Sequence, residues 1–264
     1  MSIQMLYVLP LRLLAFLLVA VSVVFAVGGV TVARRRGWQV HPDDNTAAGF
    51  IHAFIGVLYA VALGLIVVMV QGEYGDVENA AVREASAASD LYRTMDGIRE
   101  PARTQLQTEV SGYVDLVVKE EWPAIRRGDD SPRTWYAIDD LARHITRFDP
   151  ATPREENLHS DMLEDVHGLL DARRERIHMG QDGIGGVTWT VIVLGAAITL
   201  GFACLFQMRS RRAQLVMTSL MATMFALMMF LIIAMDHPLW GDLSVDPGAF
   251  VSVQQNIHRV HEGR

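Results

Sequence analysis

The chain of 264 residues has a single cysteine, Cys204, placed inside an apolar run. It cannot form an internal disulfide, and with no activating base near it in sequence it offers no nucleophile. A phosphate loop is missing as well. Gly183-Ile184-Gly185-Gly186 follows no strand pattern and precedes no Lys-Ser or Lys-Thr. The hydrophilic middle lacks a basic footprint. Between Glu73 and Gly186 there are 24 acidic against 14 basic residues, a net of −10, which leaves 6 acidic and 9 basic residues elsewhere. That balance argues against a nucleic-acid partner. No stretch gathers an assembled set of catalytic groups, so no enzyme and no cofactor is expected.

What the chain does have is four long apolar blocks. Val187–Gln207 and Ala213–Met235 form a hairpin with Arg209-Ser210-Arg211-Arg212 at its turn. Each arm is long enough to cross a hydrocarbon core of roughly 30 Å as a helix. The first block runs from about Leu6 to Ala33, with Pro10 and Arg12 near its beginning and Arg34-Arg35-Arg36 directly after it. Its core exceeds a signal-peptide h-region and no basic n-region precedes Arg12, so it reads as a spanning helix rather than a cleaved leader. The second span covers about Ala47 to Gln71. Gly56, Ala60 and Gly64 recur there every fourth residue, the pattern of a smooth face that another helix approaches closely. Ile51, Phe54, Leu58 and Leu65 form a bulkier stripe, and His52 and Tyr59 are polar groups at membrane depth.

The middle reads as helices. Val77, Ala81, Ala85, Ala88 and Tyr92 continue the second helix outward, Gly97 breaks it, and Pro101 suits the first turn of the next. Leu106, Val110, Tyr113, Val114 and Val117 form the second stripe, and Trp135, Ile138, Leu141 and Ile145 the third. Leu158, Met162, Val166, Leu169 and Ile177 form the fourth. Ser131-Pro132 and Thr152-Pro153 supply N-cap and N1 pairs. Phe250, Val253, Ile257 and Val260 mark a short amphipathic helix near the end. The expected fold is all-α: four transmembrane helices with a helical-bundle insert between the second and third spans. The expected segments are 1–72, the acidic domain 73–186, the hairpin 187–235, and a juxtamembrane turn with a terminal helix over 236–264.

Two metal patterns deserve weighing. Glu156/His159, Glu164/His167 and Glu175/His178 have the Glu-x-x-His spacing of di-iron bundles, but all lie on one helix, roughly 12 and 16 Å apart by helical rise. Met217, Met221, Met224 and Met228 stack on the fourth span with no cysteine or histidine ligand among them. Neither builds a site, and no bound metal is expected. Short basic loops stay in the cytoplasm. Loops 34–46 and 209–212 both carry arginine clusters, which places the helical insert and the termini outside a bacterial inner membrane.

The layout of two spans, a helical insert, two spans and a short tail resembles the bestrophin-like family of bacterial membrane proteins. The carrying segments are Glu73-Tyr74, Glu84-Ala85, Tyr113-Val114-Asp115, and Asp236-His237-Pro238 with Gly241. At the last of these the family usually shows an aspartate, a basic residue, proline, an aromatic and glycine. Here His237 replaces the usual arginine and Leu239-Trp240 fills the aromatic position. The resemblance covers most of Gly49 to Phe250. It implies a homo-oligomer, a pentamer by analogy with bestrophins proper, whose second span lines an axial pore for small inorganic anions through Ile51, Phe54, Leu58 and Leu65. The calcium clasp of bestrophins is not expected, because Asp236, Asp242 and Asp246 are dispersed. Bestrophins keep the insert in the cytosol, whereas the arginines here place it outside. A non-conducting sensor or scaffold acting through the helical domain is the alternative.

Overall fold

The computed structural model describes Tyr7 and residues 9–262. Leu6 and the side chain of Val260, both part of the apolar patterns above, lie outside the described residues. All regular structure among the described residues is helical: α1 (Leu11–Arg36), α2 (Asn45–Thr94), α3 (Ala102–Leu116), α4 (Trp122–Arg126), α5 (Pro132–Arg147), α6 (Pro153–Gln181), α7 (Gly186–Leu205), α8 (Arg211–Asp236) and α9 (Gly248–Glu262). A π-helical segment, Val117–Glu121, joins α3 to α4. Four candidate membrane spans are present among them. The chain divides into two compact units, Met1–Gly72 with Gly183–Asp236, and Glu73–Asp182 with His237–Arg264.

In the first unit α1 packs chiefly along α8 and also along α7. Small residues make the close approach possible. Ala26 and Ala222 are buried with Leu200, and a Cβ on Gly29 would lie 2.8 Å from the Cys204 sulfur. Gly37 ends α1 in the left-handed conformation, φ +66°, with the Trp38 N–H returning to the Ala33 carbonyl at 3.0 Å. The arginine-bearing loops are fastened to each other. Val40 N–H donates to the Leu205 carbonyl at 2.9 Å, and the Asn45 side chain to the Gln207 carbonyl at 2.8 Å.

One side of α2 packs in this unit through Tyr59, Leu63 and Val70, against Ile192 and Ala196 of α7 and Ile232 of α8. The Tyr59 hydroxyl donates to the Ile192 carbonyl at 2.6 Å, so its membrane-depth polar group is satisfied within the protein. His52 stacks on Phe202, with ring centroids 5.3 Å apart. A Cβ on Gly195 would fall 2.2 Å from a Tyr59 ring carbon, and the hydroxyl bond keeps that ring from swinging away. Gly195→Ala is therefore expected to destabilise this unit by about 1–3 kcal/mol, the usual cost of overpacking. Thermal unfolding of the detergent-solubilised chain measures it, and combined with Tyr59→Ala the two losses should fall short of their sum, since the clash is then gone.

In the second unit the four amphipathic helices and α9 bury one continuous core, including Val77, Leu91, Val110, Val117, Ile138, Leu141, Met162, Leu169 and Phe250. Thr152 caps α6, its hydroxyl accepting from the Glu155 N–H at 3.2 Å. Ser131 stands at the N-cap of α5 but spends its hydroxyl on the Thr134 side chain at 2.9 Å instead of on the backbone. Two stripe assignments change. Thr134, not Trp135, takes the buried position that leads to Ile138, Leu141 and Ile145, because the 4-3-4 spacing begins one residue earlier. On α6 the register runs Met162, Val166, Leu169, Arg173, Arg176, Gly180, leaving Ile177 half-buried beside it.

Candidate functional site

Beyond its packed side, α2 presents a long face that nothing among the described residues covers. Phe50, Phe54, Val57, Val61 and Val68 are exposed along its midline, Phe54 at 66%. At 3.6 residues per turn, Ile51, Leu58 and Leu65 fall on one flank of that midline, and all three are exposed. Gly56, Ala60 and Gly64 fall on the other, with Gly56 half-buried and the other two exposed. A Cβ built on Gly56 or Gly64 meets nothing within 4 Å. The face is thus split lengthwise into a bulky half and a small half. Among the described residues, Ala60 and Gly64 of the small stripe meet no neighbouring helix. Farther along the same helix the exposed residues include Glu73, Asp76, Glu78 and Asp90. Arg83, on that stretch, is engaged by Glu175 at 2.5 Å.

The residues of the Asp-His-Pro segment divide between the two units. In the first, the Asp236 carboxylate accepts the Ile184 N–H at 2.5 Å and the Trp189 indole N–H at 3.4 Å, fixing the chain just before α7 begins. In the second, His237 stacks on Trp240 at 4.1 Å and Leu239 is buried. Gly241 adopts φ +71°, a turn conformation for which glycine is suited, and its N–H donates to the Arg126 carbonyl at 3.0 Å. Arg126 donates in turn to Ser244 at 2.7 Å, and the Trp122 indole to the Val245 carbonyl at 2.9 Å. This segment is a clasp that ties the turn before α9 onto α4.

Glu84 occupies the centre of the second unit. It shares a fully buried cluster with Tyr113, Glu121, Arg173 and Arg176. Arg176 donates to Glu84 at 2.6 Å and to Glu121 at 2.5 Å, and Arg173 lies 2.6 Å from the other Glu121 oxygen. The Tyr113 hydroxyl donates to Glu84 and accepts from Arg173 at 3.3 Å. Aromatic rings close the cluster, with the Arg173 guanidinium 4.6 Å from the Trp135 ring centre and that of Arg176 4.7 Å from Trp122. Two carboxylates and two guanidiniums balance. Burial alone would raise the Glu121 carboxyl, but Arg176 and then Arg173 overcome it and hold it below the usual carboxylate range. Burial, with the Glu84 carboxylate alongside, pushes the Tyr113 hydroxyl well above its usual range. The π-helical segment places Glu121 at this point, buried beside the Arg pair.

The Glu-x-x-His residues are drawn to separate partners. His159 faces the Ile145 carbonyl at 2.9 Å, Glu175 pairs with Arg83, and His178 lies 3.3 Å from Asp182. Asp115 bonds Lys119 at 2.6 Å and Gln254 of α9 at 2.6 Å. Of the buried cluster, Glu84 and Tyr113 lie in segments that carry the family resemblance, whereas Glu121, Arg173 and Arg176 belong to no motif.

A family model for the Bestrophin-like domain matches residues 16–250. Among solved structures, a variant of a bacterial Bestrophin homolog from Klebsiella pneumoniae aligns with TM-score 0.69 at 10% identity, covering 94% of this chain and 98% of that one. A second variant of the same homolog gives TM-score 0.69 at 10% identity over 92% and 99%. A crystal structure described as a membrane protein gives 0.70 at 10% identity over 92% and 97%. No curated protein matches.

Proposed function

This chain belongs to the Bestrophin-like family, and we propose that it assembles as a homo-oligomeric ring, five copies by analogy, that conducts small ions along an axis lined by α2. The observation that carries the reading is the two-halved open face of α2. A helix in contact with lipid alone has no use for a flank reduced to Gly56, Ala60 and Gly64, because acyl chains fit any surface. A ring joins the unlike flanks of successive copies head to tail. Ile51, Leu58 and Leu65 of one copy then meet the small flank of the next, and the face between turns to the axis. Phe54, nearest the midline among the expected lining residues, becomes the constriction, with Phe50, Val57, Val61 and Val68 above and below it. Ile51, Leu58 and Leu65 border it from the bulky flank.

The resemblance makes small inorganic anions the first permeant to test. The acidic exposed residues beyond the span, Asp76, Glu78 and Asp90, favour a second reading in which cations pass, since fixed negative charge repels anions at an entrance. Planar bilayers containing the purified protein should show discrete conductance, and Phe54→Ala should raise it several-fold by widening the narrowest ring. The reversal potential in a salt gradient assigns the ion. Bilayers that stay ion-tight around folded protein sink the channel reading and leave the scaffold. The arginines of loops 34–46 and 209–212 support placing those loops in the cytoplasm and the helical unit outside. A reporter active only outside the cytoplasm should work when inserted at the turn 128–130 and stay silent at 209–210.

A further inference from the structure

Five arginines, Arg35, Arg36, Arg209, Arg211 and Arg212, are exposed where α1 ends and α8 begins. Arg34 brings the two ends together. Its guanidinium donates to the Gln214 side chain and to the Met208 carbonyl, both at 2.8 Å, and Gln214 donates onward to the Phe206 carbonyl at 2.7 Å. The sixth arginine is therefore consumed as a fastener, while among the described residues the other five make no ion pair with a carboxylate. The acids of the same loop are Asp43 and Asp44, and Asp43 sits beside His41 at 3.4 Å. The cluster keeps a clear positive excess. The start of α8 adds the partial positive charge of a 26-residue helix.

Two further observations say what kind of anion fits. Trp38 is 58% exposed beside the cluster, with the Arg36 guanidinium 5.0 Å from its ring centre. Exposed tryptophan next to a spanning helix belongs at headgroup depth. On the apolar side of the arginines, Val32 of α1 and Val216, Met217 and Leu220 of α8 are exposed in their turn. A ligand lying here meets charge at one end and hydrocarbon along its length.

We propose that Arg35, Arg36, Arg209, Arg211 and Arg212 form a binding site for the phosphate headgroup of an anionic phospholipid, with its acyl chains along α1 and α8. Guanidinium groups suit this task because each can donate two parallel bonds to a phosphate. The site is independent of whether the protein conducts.

The test uses the full chain, delipidated in detergent, and native mass spectrometry with phosphatidylglycerol or phosphatidylcholine of matched acyl chains. Retained phosphatidylglycerol should exceed phosphatidylcholine by about tenfold or more, since each basic residue near an anionic lipid adds attraction. Arg35→Gln, Arg36→Gln, Arg211→Gln and Arg212→Gln together should bring the two lipids level, while Arg127→Gln with Arg133→Gln should change nothing. If the fourfold variant does not fold, Arg211→Gln with Arg212→Gln should lower the preference several-fold, and added salt should weaken it in the unaltered chain. Equal retention of the two lipids by the unaltered chain overturns the proposal, as does a preference that survives these substitutions. Inorganic phosphate at matched concentration should not compete; if it displaces the lipid, the site is one for free phosphate.

Discussion

Arg176→Met is expected to cost the second unit about 3–5 kcal/mol, because it leaves buried carboxylates without their partner. The arginine is wholly inaccessible and holds Glu84 and Glu121 at once. Methionine fills a similar volume, so the loss comes from charge rather than from a cavity. A fourfold replacement of Glu84, Glu121, Arg173 and Arg176 by methionine should be less harmful than the single change, since no charge is then stranded. Chemical denaturation followed by tryptophan fluorescence reads both, with Trp122 and Trp135 lying against the two guanidiniums. A single-variant loss below about 1 kcal/mol, the value of an exposed pair, would mean the cluster is hydrated. The same cluster sets an acid limit. Glu121 has its carboxyl depressed in the folded chain, so its contribution is complete above the unfolded value of about 4.3 and is lost as pH falls through the lower folded value. Stability should be flat with respect to this group near neutrality and decline on acidification.

The second large effect concerns assembly. Ala60→Leu with Gly64→Leu is expected to abolish the oligomer while leaving the subunit folded. A Cβ at Gly64 meets nothing within 4 Å and Ala60 is exposed, so among the described residues leucines there have room. In a ring they fill the hollow that receives Leu58 and Leu65 of the next copy, and overfilled helix contacts come apart. Size-exclusion chromatography with light scattering should show monomers with unchanged helical circular dichroism. An unchanged oligomer would remove the small flank from the interface.

Much of the fold is legible in the sequence because the bilayer imposes it. Apolar runs of spanning length and the arginines that end them determine four spans, and a 3-to-4 spacing of Val77, Ala81, Ala85 and Ala88 shows α2 continuing past the membrane. The buried charges were harder to read. Arg173 and Arg176 extend the register of Met162, Val166 and Leu169, and Glu84 extends that of Val77 and Ala81. A charged residue at a core position is the signal, but each is visible only against its partner on another helix. Glu84 meets Arg176 across 92 residues. Local pattern cannot supply that pairing. The displacement of Trp135 from the core has a similar origin, since its ring covers Arg173 from the rim. Gly56, Ala60 and Gly64 point to a helix contact in the sequence; that no described residue covers Ala60 and Gly64 follows only from the packing of Tyr59, Leu63 and Val70 on the opposite side.

The central claim is that the open face of α2 closes on copies of itself around an axis. Its most direct test is the mass of the assembly in nanodiscs, measured by mass photometry or light scattering. The account predicts a closed ring of several copies, five by analogy, with α2 at its centre. A monomer or a dimer would leave no axial pore for α2 to line, and would contradict it.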